Sequence, residues 1–182
     1  FIAQAAVSKP ICKRLWQQIV KAKLRFQGQL LTELHGDDFG LADLARTVRS
    51  GDPTNIEAQA ARIYWTALFN DMNFLRRRDL PDQNRLLNYG YAVLRALVAR
   101  AVCATGLHPC LGIHHHNRYN AFCLADDLME PFRPIVDRAV VQIVADHGTD
   151  VPLNPEVKSH LIGAMMQRYM LDRESRTLFD VL

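Results

Sequence analysis

The feature that most constrains this chain is a spacing of three and four between apolar residues, which returns in segment after segment. Ile11, Leu15, Ile19, Ala22, Phe26 and Leu30 form one such stripe, with Lys13, Lys21 and Arg25 off it. Steps of three and four follow the helical turn, and strand signals with a period of two are weak throughout. A chain patterned in this way buries its apolar surface by packing helix on helix.

Boundary signals divide the pattern. Ser8 is placed to cap the first helix, with Pro10 in its first turn, and "HGDDFG" ends it. A short helix over Leu41 to Val48 closes at "SGDP". The next runs from about Thr54 to Leu75, stopped by "RRRDLPD". A fourth spans Gln83 to Thr105, with Leu87, Leu94, Leu97 and Ala101 inward and Gly106 as its C-cap. A loop from Gly106 to Asn120 leads into a helix over Leu124 to His147. Pro131 and Pro134 make its first turns irregular because neither has an amide to donate. Asn154 and Pro155 open a last helix reaching Asp172. No repeat, low-complexity tract or linker interrupts the series. The expected fold is all-α, one multi-helix domain over residues 1–182.

The 182 residues suffice for a sizeable core, and 49% hydrophobic with 23% charged residues excludes a disordered chain. No apolar run reads as a membrane span and the start does not resemble a signal peptide. The sequence opens at Phe1 and reads as part of a longer protein. Cys12, Cys103, Cys110 and Cys123 form no Cys-x-x-Cys pair, and a reduced, cytoplasmic chain is expected. The net charge of +3 does not announce a nucleic-acid binder, but "KRLWQQIVKAKLR" carries five basic residues and no acid, and "RRRD" places three arginines together. Either cluster alone is a solvated face; together they make a phosphate-binding surface plausible.

Three groups of residues carry chemistry. Glu57 ends the Thr-x-x-Glu pattern of a capping box, yet it also begins a stripe continued by Ala61, Tyr64 and Leu68, which points its carboxylate inward toward a partner. Asp127 and Glu130, three apart on a helix, put their carboxylates about 5–6 Å apart at Cβ, and such a pair repels unless a cation stands beside it. Asp126 is rotated away, toward the helix N-terminus. His114, His115 and His116 lie just upstream; adjacent residues cannot all face one point, so one or two at most could ligate. Carboxylates with one imidazole suit Mg²⁺ or Mn²⁺. A zinc site is the less favoured alternative, since the cysteine spacings fit no knuckle, and a di-iron bundle lacks any Glu-x-x-His pair.

"VRSGDPTNIEAQAARIYW", "DQNRLLNYGYAVLRALVARAVCATGLHPCLGIHH" and "NAFCLADDLMEPFRP" together resemble the CRISPR-associated spacer-acquisition integrase family, Cas1, in its type II branch. The resemblance covers nearly the whole chain, in order. It implies the family's C-terminal helical catalytic domain, without the N-terminal β domain. The family's metal glutamate falls on Glu57, its histidine on His115 (with His114 the fallback) and its second acid on Glu130. Asp127 becomes a further ligand or a neighbour, and capping becomes secondary for Glu57. Tyr64, Asn84 and Asn88 match polar positions lining the family's active-site face, which makes them DNA-binding candidates. Arg76, Arg77 and Arg78 are the basic candidates for DNA phosphates, because their loop joins the helices bearing Glu57 and Asn84. The implied activity is a metal-dependent DNA integrase and endonuclease, in which a spacer's 3′-hydroxyl attacks a phosphodiester of the repeat array. Implied partners are double-stranded DNA, the companion protein Cas2 and, in the full-length protein, a second copy. The alternatives are a non-catalytic DNA-binding or oligomerisation fragment and a zinc-stabilised interaction domain.

Overall fold

The computed structural model describes residues 1–77, 79–171 and 174–178. Its helices are α1 (Ile2–Ala5), α2 (Lys9–His35), α3 (Leu41–Thr47), α4 (Ile56–Phe69), α5 (Asn84–Ala104), α6 (Cys123–Leu128), α7 (Arg133–His147) and α8 (Pro155–Met165), with a 3₁₀ turn at Glu130–Phe132. A hairpin of β1 (Arg168–Leu171) and β2 (Glu174–Thr177) follows, antiparallel, with Arg168 opposite Thr177.

The apolar stripes fill two adjoining cores. Trp16, Val20, Leu24 and Leu31 of α2 pack with Leu41 of α3 and with Ala60, Tyr64 and Leu68 of α4. Leu86, Leu87, Leu94 and Val98 of α5 pack with Val136 and Val140 of α7 and Leu161 of α8. Trp65, Phe69, Ile113 and Leu128 touch both. The crossing of α5 on α7 is close: a Cβ on Gly90 would stand 2.3 Å from Val136 Cγ1, so any side chain there pushes the helices apart. A buried polar knot ties the cores together. Tyr64 donates to Asp137 Oδ2 at 2.6 Å, and Tyr91 donates to Oδ1 of the same carboxylate. Burial pushes the Asp137 carboxyl up to about 6, although both hydroxyls oppose that rise.

The all-α expectation holds, with local differences that have physical causes. On α2 the buried stripe is rotated: Ile11 and Leu15 are exposed, and Trp16, Val20 and Leu24 take the inward positions. Helix α4 stops at Phe69 because Asn70 adopts the left-handed conformation, several residues before the arginines. The helix expected over Leu124–His147 is broken, since Pro131 and Pro134 withhold two donors and the 3₁₀ turn absorbs the bend. The last helix ends at Met165, and a hairpin replaces its predicted C-terminal part; Tyr169 and Thr177 are among the strand-favouring residues there. Asp172 lies outside the described residues. Cys103 of α5 is exposed. Contrary to the reading that no run could span a membrane, the 21 residues of α5 are long and apolar enough to do so by length and composition. In this fold its buried residues belong to the second core.

Candidate active site

The site forms where α2 passes the start of α4 and the bend between α6 and α7. Helix α4 is started by two side chains: Asp52 accepts the amides of Ile56 and Glu57 at 2.9 and 3.0 Å, and Asn55 accepts that of Ala58 at 3.4 Å. The N-cap is Asn55, so the Thr54-based capping box does not form and the Glu57 side chain is available for another partner. That partner is Lys23, whose ammonium donates to Glu57 Oε1 at 2.6 Å. The same Nζ lies 2.6 Å from Glu130 Oε2. This second contact is short but off-axis, and leaves Oε2 buried without an aligned hydrogen bond. Arg133 holds the other oxygen of Glu130 at 2.7 Å.

The charges explain the shifts. Burial disfavours the Lys23 ammonium, but Glu130 and Glu57 outweigh it and the pKa is raised. Burial likewise pushes the Glu130 carboxyl up, and Lys23 and Arg133 together hold it below its ordinary value.

The histidines stand beside these carboxylates. Asp127 is fully buried and both of its oxygens are engaged. Oδ2 accepts the amides of Ile113 and His114 at 2.6 and 2.8 Å; Oδ1 accepts the His115 amide at 3.2 Å and pairs with its Nδ1 at 2.5 Å. That bond to Asp127 raises the His115 pKa above the ordinary value despite partial burial, with smaller contributions from Glu130 and Glu57. With Nδ1 turned to Asp127, Nε2 is the nitrogen left for a ligand. His114 instead stacks flat on Trp16, with ring centroids 4.1 Å apart. Gly112 makes the loop possible, because a Cβ there would meet the His115 carbonyl oxygen at 2.3 Å.

The sequence-predicted residues are therefore only partly brought together. Glu57 and Glu130 share one cation, and His115 senses both charges. Among the described residues no three His, Cys, Asp or Glu side chains form a metal-holding group; the Lys23 ammonium stands between the two glutamates. Asp127, a possible ligand by sequence, is behind His115 with its acceptors occupied. Asp126 pairs with Arg95 at 2.6 Å. Tyr64 and Asn84, expected on a DNA-facing surface, are fully buried: Tyr64 bonds Asp137, and Asn84 accepts from Arg76 and from the Arg77 amide. Arg76 turns inward, donating to Asn84 and Asn88 at 2.9 Å, with its guanidinium 5.3 Å from the Tyr91 ring centroid. Arg77 is exposed and paired with Asp79. Arg78 lies outside the described residues.

Sequence reasoning missed Lys23, Arg95 and Arg133. Lys23 had a signal: with Trp16, Ile19, Gln27 and Leu30 it continues a helical stripe whose other members are buried, and a lysine in such a stripe demands buried anions. Arg76, Arg95 and Arg133, with Asn88, Asn120 and Asp126, line a cleft of about 740 Å³, and Arg133 links its wall to Glu130.

Does this donor set fit a divalent ion? Two carboxylates and an imidazole nitrogen are the chemistry of a hard, oxygen-preferring cation, and Glu130 Oε2 is a buried acceptor lacking an aligned donor. The set fits, with an ammonium now between the carboxylates.

Comparison with known proteins gives a consistent set of likenesses. The sequence profile of the family described as CRISPR associated protein Cas1 matches residues 2–151. The chain is 41% identical over 174 residues to a CRISPR-associated endonuclease Cas1 of Neisseria meningitidis serogroup C, covering 94% of this chain and 56% of the relative. It is 32% identical over 131 residues to a CRISPR-associated endonuclease Cas1 of Francisella tularensis subsp. novicida, covering 67% of this chain and 41% of that relative. The chain thus spans about half the length of these curated relatives. In structure it resembles a Cas1 protein from Thermotoga maritima, with TM-score 0.79 and 19% identity over 98% of this chain and 64% of that one. A casposase bound to integration product superposes with TM-score 0.76 and 22% identity, over 99% of this chain and 64% of that chain. At these identities the structural likeness speaks for the fold alone.

Proposed function

The chain belongs to the CRISPR-associated Cas1 family, and from that membership we propose that it is the helical catalytic part of a metal-dependent DNA integrase and endonuclease of CRISPR adaptation. The observation that carries the reading is the convergence of Glu57 and Glu130, from separate elements, on a single cation beside His115. Glu57, Glu130 and His115 Nε2 would hold Mg²⁺ or Mn²⁺, which when bound supplies neutralisation of phosphodiester charge and a lowered pKa for the attacking hydroxyl. The chain's own groups do the positioning. Asp127 fixes the orientation of the imidazole through Nδ1. Arg133 restrains one oxygen of Glu130, leaving the other directed at the site. The cleft with Arg76, Arg95 and Arg133 offers a path for the phosphates of a DNA strand, joined to Glu130 through Arg133.

For the whole protein, the partners we propose are double-stranded DNA, a Cas2 subunit and a second copy of the chain, in a prokaryotic cytoplasm. Two structural neighbours are described as Cas6-RT-Cas1–Cas2 complexes. One observation favours a second reading: an ammonium already neutralises both glutamates, as it would in a part that binds DNA without cutting it. A strand-transfer assay separates the two. The intact protein is expected to join a DNA 3′ end to a repeat-bearing duplex with Mg²⁺ or Mn²⁺, to stop on chelation, and to resume on metal addition. DNA binding with no joining under any metal condition would select the second reading.

A further inference from the structure

We infer that Lys23 is the site's resident cation: its ammonium holds Glu57 and Glu130 in place, and a divalent ion enters by displacing it. The inference rests on the metal reading proposed above, and extends it to a residue outside the ligand set.

Geometry carries the argument. One nitrogen stands 2.6 Å from a carboxylate oxygen on each glutamate, so the two oxygens lie within two contact lengths of each other. Like charges at that separation, one almost fully buried, need a cation between them. An ion ligated by both carboxylates would have to sit where Nζ now sits, because no ion and ammonium can share that gap. The charge balance points the same way. Lys23 and Arg133 already offset Glu57 and Glu130, and an arriving divalent ion gains little attraction until one of these cations leaves.

The two cations differ in their ability to leave. Arg133 pairs with Glu130 Oε1 at 2.7 Å while its guanidinium lies 4.6 Å from the Tyr91 ring centroid, so an ion pair and an aromatic contact both fix it. Lys23 is a point charge on a flexible four-carbon stem, and its one ammonium is divided between two carboxylates. Its route outward passes Glu57, whose side chain is 25% exposed against 6% for Glu130. Lys23 thus serves as a positioning residue. It stops the two glutamates from repelling each other apart before metal arrives, and it makes metal entry an exchange of one cation for another.

The test uses the intact protein with Lys23→Met and Lys23→Gln. Without metal both variants are expected to melt below the parent, since the paired carboxylates lose their counter-ion. Mn²⁺ should raise their melting temperatures by more than it raises the parent's, and free-Mn²⁺ titration by electron paramagnetic resonance should show affinity at least about tenfold tighter. In the parent, the Lys23 ammonium proton signal, sheltered between carboxylates, should disappear as diamagnetic Mg²⁺ saturates the site. This reading needs no variant to fold. Parent and variants binding Mn²⁺ equally, or a Lys23 signal that survives saturating Mg²⁺, would overturn the role given to Lys23 while leaving the metal site intact. No Mn²⁺ bound by parent or variants would sink both.

Discussion

Replacing Glu130 with alanine is expected to slow metal-dependent strand transfer by about 10²–10³-fold or more, the scale seen when one oriented charge-stabilising group is removed from a reaction centre. Glu130 is 4% exposed and is the group most enclosed by opposite charge, with Lys23 on one oxygen and Arg133 on the other. Its removal leaves Arg133 without the carboxylate it pairs with and Lys23 with Glu57 alone, so the melting temperature should fall as well. Glu130→Gln keeps the shape and removes the charge, and should lose activity with a smaller loss of stability. Glu57→Ala contrasts with both. Glu57 is nearer solvent and Lys23 would keep Glu130, so the activity loss should come with little destabilisation. The measurement is strand transfer by the intact protein alongside thermal melting. Transfer within about tenfold of the parent in Glu130→Ala would remove Glu130 from the reaction centre.

Asp127→Ala is expected to cost about 3–5 kcal/mol of stability, the range for deleting one partner of a buried charged network. Four contacts end on this one carboxylate: three consecutive amides and the His115 imidazole. The amides of Ile113, His114 and His115 define the loop, so the loop itself should loosen, and His115 with it. Asp127→Asn retains one acceptor oxygen and should lose roughly half as much. Activity should fall with metal affinity, because His115 is no longer aimed, by about 10–100-fold, as for other residues that orient metal-binding histidines. Chemical denaturation measures the first effect and Mn²⁺ titration the second. A stable Asp127→Ala protein with unchanged Mn²⁺ affinity would show that the carboxylate does not organise the loop.

The helical stripes were legible because each is a local pattern of apolar side chains, and the structure puts most of them in the two cores. Breaks set by one residue's backbone were harder to read. Asn70 ends α4 by adopting the left-handed conformation, and no composition signal marks that choice over the prolines and arginines further on. The bend at Glu130 was only half visible: Pro131 and Pro134 announced irregularity, but not that the bend would turn Glu130 toward Lys23.

For the site, the resemblance to the Cas1 family pointed to Glu57, Glu130 and His115 as candidates, whereas their neighbours depended on tertiary contacts. Nothing local distinguishes a histidine stacked on Trp16 from the next one, pinned by Asp127; the difference arises only when α2 and α6 meet the loop. Tyr64 and Asn84 were misread for the same reason. Their polar tips satisfy buried partners, Asp137 and the 76–77 backbone and guanidinium, rather than facing a ligand.

The most direct test is a crystal of the intact protein soaked in Mn²⁺, with the anomalous signal collected at the manganese edge. The account predicts a single strong peak between Glu57 and Glu130, within about 2.0–2.3 Å of an oxygen of each and of His115 Nε2, with the Lys23 ammonium moved out of the gap. A peak ligated by other residues, or unbroken density from Lys23 to both glutamates with no manganese between them, would contradict it.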